Sequence, residues 1–510
     1  MTPSVRLRRT TLALGAVNVA VFAWLAGASY GLAPHSPLGV FQPREAELFR
    51  RLGASLGRVL PGGDAWLHGF LAGEAFADRR VRILAYAVPL LISAACFVVL
   101  CRAFRRCGEG IDEALVERVF RFGIAFALLS VLAYPMFASD LWLYLGWGRM
   151  MAVGLNPYYA DPALAPLAGL PIEELGSRFT YGPVWAMVSG AVAAVARGSV
   201  FWSFAFMKAL LAGSWLVSLW LLKRITVEDP PRDRAIAVAV FGWVPLSAHM
   251  AIGEGHNEMA MVLPLIAWLY WLRKGSHILG PSALAVSVLV KYVTLPLAAL
   301  EVLAAWVRRI PLRRYQVALA GAGVVVVACF LPFYRDPGMF RALLRMQGSR
   351  FWTPGEAVAD ALARLGWALD SRIVSAAVGF AGVVLVIHYA RRYVRDNRFY
   401  TLAAAALAVM ATVLFAGVGH IWPWFVVWVV PLGALAWRTP AARLCVAMAL
   451  LTPAMNVWWI RSGDWYTREN SGVVFYAALA LAVLSTLAWW PGKWETGSAV
   501  PIGGEGGRAV

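Results

Sequence analysis

The sequence predicts an all-α protein with many membrane-spanning helices, and three observations carry that prediction. Of its 510 residues, 60% are hydrophobic and only 15% charged, against roughly half apolar and a quarter charged in a soluble domain. Apolar runs of roughly 18 residues or more recur from end to end, each long enough to cross ~30 Å of hydrocarbon. The alternating segments of a membrane β-barrel are absent. A backbone in lipid must satisfy its own polar groups, so repeated long runs mean a helical bundle.

The net charge is +18. In a soluble chain this would point to nucleic acid, but here most Lys and Arg fall in short loops between apolar runs. They read as topogenic charge beside anionic lipid, and no nucleic-acid partner is expected. The five cysteines (Cys96, Cys101, Cys107, Cys329 and Cys445) lack paired zinc spacing, and no disulfide or metal role is assigned to them.

The elements follow in order from the Lys/Arg bias. Arg6, Arg8 and Arg9 hold the N-terminus in the cytoplasm. The run from about 11 to 33 is too long for a signal-peptide core and reads as an uncleaved first helix. An external loop follows over about 34–80, then helices over about 81–103 and 119–138. Asp140 therefore lies outside, just past a helix end. The stretch 182–222 reads as two helices joined near Arg197-Gly198. Two full crossings would leave Lys223, Arg224, Arg232 and Arg234 on the wrong side, so whether one is short or re-entrant stays open. A helix over about 235–252 exits next, Gly255-His256-Asn257-Glu258 sits outside, and the following helix returns to Arg273-Lys274. The segment between Arg273-Lys274 and Arg308-Arg309 must go out and come back, with Lys291 near its turn. Further helices flank an external loop containing Arg350 and an outer end containing His420. The count is roughly thirteen to fifteen helices. The chain divides into N-terminal helices and loop (1–118), a core (119–437), C-terminal helices (438–495) and a Gly-rich tail (496–510) expected to be disordered.

On this topology Asp140, His256, Asn257, Glu258, Lys291, Arg350 and His420 converge on the external side. No phosphate-binding glycine loop occurs. ATP and nucleotide sugars are cytosolic, so an external enzyme would draw on a lipid-linked donor. Asp140 opens the aromatic-rich Leu141-Trp142-Leu143-Tyr144 and reads either as a general base or as a cap of the following helix beside Ser139. Lys291, a cation in an apolar segment, should face a cavity or partner. It reads as an anchor for a lipid phosphate, or as a snorkelling side chain paired with an acid such as Glu301. His256-Asn257-Glu258 reads as a proton relay, a sugar-hydroxyl clamp, or a polar helix start capped by Asn257. Zinc there would need distant ligands. His420, before Trp422-Pro423-Trp424, reads as a substrate contact or as part of an interfacial aromatic belt.

Six motifs, in order, carry a resemblance: Asp140 in the first large loop of the core, Gly154-Leu155-Asn156-Pro157-Tyr158, Tyr181-Gly182-Pro183, Gly255-His256-Asn257-Glu258, Val290-Lys291-Tyr292, and His420-Ile421-Trp422-Pro423-Trp424. Over roughly residues 119–437 the chain resembles the GT-C superfamily of polyprenyl-phosphate-sugar-dependent glycosyltransferases. Within it, the chain is most similar to bacterial polyprenol-phosphate-mannose-dependent α-mannosyltransferases that build lipoglycans.

The resemblance implies a GT-C-like bundle in the bacterial cytoplasmic membrane. It also implies inverting transfer of a sugar, mannose, from a polyprenyl-phosphate donor to a glycan or glycolipid acceptor on the external face. Asp140 and His420 take catalytic positions, and Lys291 and Arg350 hold the donor phosphate. Trp142, Tyr144, Asn156, Tyr158, Tyr181, His256, Asn257, Glu258 and Trp422 contact substrate. Glu258 stands where relatives more often carry Asp. A single acid opens the loop, so no metal or other cofactor is inferred. The alternatives are a transferase for another lipid-linked sugar and a flippase without chemistry.

Overall fold

Membrane-length helices form over the longest apolar runs, and shorter ones form where a run is broken, as at Pro245, Lys291 and Pro423. The computed structural model describes residues 3–32, 78–107, 110–346, 352–367, 369–462 and 477–486. The expected external loop over 34–80 lies almost wholly outside these residues, as do Arg350 and the Gly-rich tail. The chain is an all-α polytopic membrane protein. Among the described residues seven helices are long and apolar enough to cross a membrane, or eight if one bent pair is a single span. The other apolar runs fold as helices of 10–17 residues. Apolar length alone does not register the breaks at Pro245, Lys291, Pro296 and Pro423.

Helices α1 (Pro3–Leu32) and α3 (Glu113–Val131) run parallel. Arg8 pairs with Asp112 at one end, and the Tyr30 hydroxyl donates to the Leu132 carbonyl at 2.9 Å at the other. Helix α2 (Arg79–Arg106) returns alongside, with Trp24 Nε1 donating to the Ala85 carbonyl at 2.8 Å. Asp112 caps α3 by accepting from the Leu115 amide at 3.0 Å.

The 182–222 stretch resolves into one short helix and one long one. Helix α4 (Asp140–Ala152) and helix α5 (Pro183–Ala196) are short, and α6 (Val200–Ile225) is membrane-length. Helices α4 and α5 touch at Gly148, where a Cβ would meet the Ser189 carbonyl oxygen at 2.3 Å. Arg197 and Gly198, at φ 50° and 82°, make the left-handed turn out of α5. Helix α6 then crosses back alone, ending with Lys223 paired to Glu117 near the start of α3. That single crossing returns the basic residues to the end of the bundle that holds Arg8.

Helix α7 (Pro231–Gly242) and α8 (Pro245–Ala248), continued by a π-helical turn over His249–Gly253, form the pair bent by 50°. Helix α9 (Glu258–Arg273) returns to the basic end, and α10 (Leu279–Val290) leads out again. Lys291 is extended (φ −150°, ψ 118°). A 3-10 turn over Tyr292–Leu297 and α11 (Ala298–Val307) lead back. His277 before α10 lies close enough to Arg308 and Arg314 that their charge, with burial, pushes its imidazole down. Both flanks of the segment thus share one end, and Lys291 sits at the turn, as the charge pattern requires.

Helices α12 (Leu312–Phe330), α13 (Arg341–Met346), α14 (Pro354–Arg364), α15 (Ser371–Asp396) and α16 (Phe399–Thr412) follow. After them come α17 (Val430–Leu435), α18 (Pro440–Leu451), α19 (Pro453–Ser462) and α20 (Ala477–Thr486). The basic end is stapled by Arg234–Glu113, Arg438–Asp233 at 2.5 Å and Arg273–Asp229 at 3.6 Å. Asp140, Gly255 and Lys291 lie at the opposite end.

Candidate active site

Asp140 is the first residue of α4, and Ser139 at the cap position makes no side-chain cap bond. The carboxylate is not spent on capping. Its Oδ1 accepts from the Tyr144 hydroxyl at 3.2 Å and the Tyr181 hydroxyl at 3.3 Å. Tyr144 stands one turn along the same face, while Tyr181 arrives from the strand-like approach to α5. Burial first, then the charge of Glu258, push the Asp140 carboxyl up to about 6; Lys291 and the two tyrosine hydroxyls pull the other way. Trp142, two positions on, points to the other side of α4. It is buried, stacked on Phe204 at 5.7 Å and tilted against Tyr134 at 5.7 Å. Trp142 thus packs on the side of α4 away from Tyr144.

The second arm is the turn Gly255-His256-Asn257-Glu258. Gly255 has φ 80°, and a Cβ on it would meet Leu141 Cδ1 at 2.3 Å. Glycine there lets the turn lie directly against the base of α4. His256 is fully buried, stacked on Trp424 at 4.0 Å between ring centres. Its Nδ1 lies 3.8 Å from Asp140 Oδ2, too far for a hydrogen bond. Burial, then the charges of Lys291 and Lys208, hold the imidazole well below its usual range, so it is neutral. Asn257 occupies the cap position of α9 without making the cap bond. Among the described residues neither ring nitrogen of His256 and neither amide atom of Asn257 has a hydrogen-bond partner. Buried polar groups in that state call for an explanation.

Lys291 forms the third arm. Its Nζ donates to Glu258 Oε1 at 2.5 Å. Glu301, the acid expected as its structural partner, instead accepts from Trp268 Nε1 at 2.5 Å. The ammonium also lies over the rings of Phe425 at 4.6 Å, Trp428 at 5.0 Å and Tyr181 at 5.6 Å. The Lys291 side chain keeps 12% of its surface exposed, against 1% for Glu258. Gly182 makes this approach possible: its amide donates to the Val290 carbonyl at 3.1 Å, and a Cβ would strike the Leu289 carbonyl oxygen at 2.0 Å.

His420 and Trp422 lie beside the rings around Lys291. His420 lies 5.9 Å from Phe425 and 5.7 Å from Trp422 between ring centres. Trp422 stacks on Trp424, which carries the stack on to His256. Asn156 and Tyr158 do different work. The Asn156 amide donates to the Phe333 carbonyl at 2.8 Å, and the Tyr158 hydroxyl donates to the Tyr181 carbonyl at 3.0 Å. Both are committed to holding the loop, and Tyr158 fixes the backbone that carries Tyr181.

Two residues that the sequence reading passed over tie the arms together. Glu254 Oε2 accepts from the Met136 and Phe137 amides at 2.8 and 2.9 Å, just before Asp140. Lys208, fully buried in α6, donates to the carbonyls of Ile252, Gly253 at 2.7 Å and Ser130 at 3.2 Å. The turn bearing His256 and the turn bearing Asp140 are thereby joined. A lysine inside an apolar helix is as conspicuous in sequence as Lys291, so the signal was present.

The family described as alpha-(1->6)-mannopyranosyltransferase, N-terminal domain, matches residues 46–308, just over half of the 510 residues. The match takes in Asp140, His256, Glu258 and Lys291 but stops before His420. The chain is 25% identical over 385 residues to alpha-(1->6)-mannopyranosyltransferase A of Mycobacterium tuberculosis, covering 71% of this chain and 72% of that protein. It is 22% identical over 453 residues to alpha-(1->6)-mannopyranosyltransferase B of Corynebacterium glutamicum, covering 76% and 70%. A shorter match, 26% over 186 residues, joins it to that organism's alpha-(1->6)-mannopyranosyltransferase A, with 36% and 37% covered.

Proposed function

The chain belongs to the alpha-(1->6)-mannopyranosyltransferase family, and from that premise we propose that it moves mannose from a polyprenyl-phosphate donor to a mannoside hydroxyl. The acceptor is a glycan or glycolipid on the outer face of a bacterial cytoplasmic membrane. The observation that carries this reading is the pairing of Asp140, buried yet ionised at neutral pH, with the unpartnered polar atoms of His256 and Asn257 beside it. A sugar supplies the hydroxyls those atoms lack.

The reaction is a direct displacement with inversion. The acceptor oxygen attacks the anomeric carbon and its proton passes to Asp140. The bond from that carbon to the phosphate oxygen breaks, and polyprenyl phosphate leaves with the electron pair. A base with a pKa near 6 is mostly ionised at pH 7 and still basic enough to draw the proton. Tyr144 and Tyr181 aim the carboxylate. Lys291 meets the charge that grows on the departing phosphate, the kind of fixed stabilisation that dominates such steps. Glu258 orients the ammonium and leaves its remaining N–H groups for the phosphate. Trp422 is assigned to sugar C–H groups, and Trp424, stacked between Trp422 and His256, holds the two rings in place. His420 and Arg350 are assigned to the acceptor and phosphate flanks, and the scheme calls on no cofactor.

Purified protein in lipid nanodiscs, given labelled polyprenyl-phosphate mannose and a mannoside acceptor, should yield an acceptor longer by one mannose. A flippase would give none. Asp140→Asn should lower turnover by ~10²–10⁴-fold with donor binding and thermal stability unchanged. Near wild-type turnover in that variant would remove Asp140 from the chemistry.

A further inference from the structure

We propose that Tyr159 is a positioning residue for Lys291, on the reading that Lys291 meets the departing phosphate. It acts at a distance, through the loop that joins α12 to α13.

The Tyr159 hydroxyl accepts from the Arg335 and Asp336 amides at 3.1 and 3.0 Å. It donates to the Asp336 carbonyl at 2.8 Å. One donor and two acceptor sites are all that a phenol has, and here each is spent on backbone. Close by, the Asn156 amide donates to the Phe333 carbonyl, and the Phe333 ring meets Tyr158 edge-on at 5.6 Å. The loop after α4 is thereby stitched to the loop after α12. Helix α12 buries only Ala318, so its own packing fixes that loop weakly.

The stitched loop ends on the residue next to Lys291. Asp336 accepts from the Gly338 amide at 2.6 Å and starts the 3-10 turn Pro337–Phe340. Phe340, the last residue of that turn, meets Tyr292 edge-on at 6.0 Å between ring centres. The Tyr292 hydroxyl is buried and has no hydrogen-bond partner among the described residues, so ring packing holds it. Lys291 is extended, and neighbouring side chains of an extended backbone leave on opposite sides. Tyr292 pinned against Phe340 on one side sets the direction of Lys291 on the other, toward Glu258, Phe425 and Trp428. Loss of the Tyr159 bonds frees the turn that carries Phe340, and the ammonium loses its fixed place beside the phosphate.

A double-mutant cycle on the full-length protein in nanodiscs tests this, with labelled polyprenyl-phosphate mannose and a mannoside acceptor. Tyr159→Phe keeps the ring and removes only the hydroxyl. It should lower turnover about tenfold with the acceptor KM and the thermal midpoint unchanged. In the Lys291→Met background it should lower the residual turnover by roughly twofold at most, because the group it positions is gone. Phe340→Leu cuts the path at its last ring and should show the same pattern; it carries the test if Tyr159→Phe does not fold. An equal loss in both backgrounds overturns the proposal, since it marks a general disturbance of the site. So does full turnover in Tyr159→Phe. Full turnover in Lys291→Met removes the lysine from the chemistry and overturns the phosphate reading as well, which tells the two failures apart.

Discussion

Two lysines in apolar segments, Lys208 and Lys291, end in opposite situations. Lys208 is fully buried and surrounded by carbonyl oxygens, three of which accept from its ammonium. Lys291 has one acid, three ring faces and a remaining patch of open surface. A cation satisfied on every side holds the fold together; a cation satisfied on one side is ready for an incoming anion. The same contrast separates their neighbours, since Glu254 serves two backbone amides while Asp140 serves two side-chain hydroxyls that a substrate can rearrange.

The largest expected effect comes from exchanging the readouts of the two lysines. Lys208→Met strands buried carbonyls and an acid, and should cost ~3–5 kcal/mol of stability, seen as a lower thermal midpoint or loss of folded protein. Lys291→Met should instead lower turnover ~10²–10³-fold with a much smaller thermal shift. If Lys291→Met unfolds the protein and Lys208→Met keeps its stability while losing turnover, the roles are reversed and the comparison is broken.

A smaller effect is expected from Glu254→Gln. Its amide oxygen can still accept from Met136 and Phe137, so folding should survive with a loss of ~1–3 kcal/mol, read by thermal denaturation. The shape of the pH–rate profile should not move, because Glu254 acts on the position of Asp140 and not on its ionisation. Glu254→Ala, which removes the acceptor altogether, should be the more damaging of the two.

Much of this could be read from sequence where a residue type is costly in lipid. Asp140 and Lys291 stood out because charge beside or within an apolar run needs a reason, and the basic loops correctly brought Lys291 to the same end as Asp140. Lys208 carried the same signal but lay in the stretch 182–222, whose crossings the charge pattern left open, so no side of the membrane could be assigned to it. Phe425 and Trp428 could not be singled out, since an aromatic ring under an ammonium looks like any core ring. The bonds of Asn156 and Tyr158 were not legible because their partners are backbone atoms of Phe333 and Tyr181, the former 177 residues away. Apolar length is legible in sequence, while the break of a run at Lys291 or Pro423 is not.

The subtlest prediction separates ionisation from geometry at Asp140. Activity requires the ionised carboxylate, so kcat/KM should rise with pH through an inflection near 6. The Tyr181 hydroxyl stabilises that ionised form. Tyr181→Phe removes the donor while keeping the ring beneath Lys291, so the inflection should move to higher pH. Glu258 acts with the opposite sign, because its charge raises the Asp140 pKa. Glu258→Gln removes that charge, and the Lys291 charge, which lowers the pKa, remains, so the inflection should move to lower pH. At pH 8 both variants hold Asp140 ionised, and any loss remaining there measures misplacement of the carboxylate or the ammonium. Profiles of kcat/KM from pH 5 to 8.5 for the three proteins decide the matter. Shifts of opposite sign assign the inflection to Asp140; an inflection that stays fixed in both variants assigns it to another group and leaves Asp140 without the role of base.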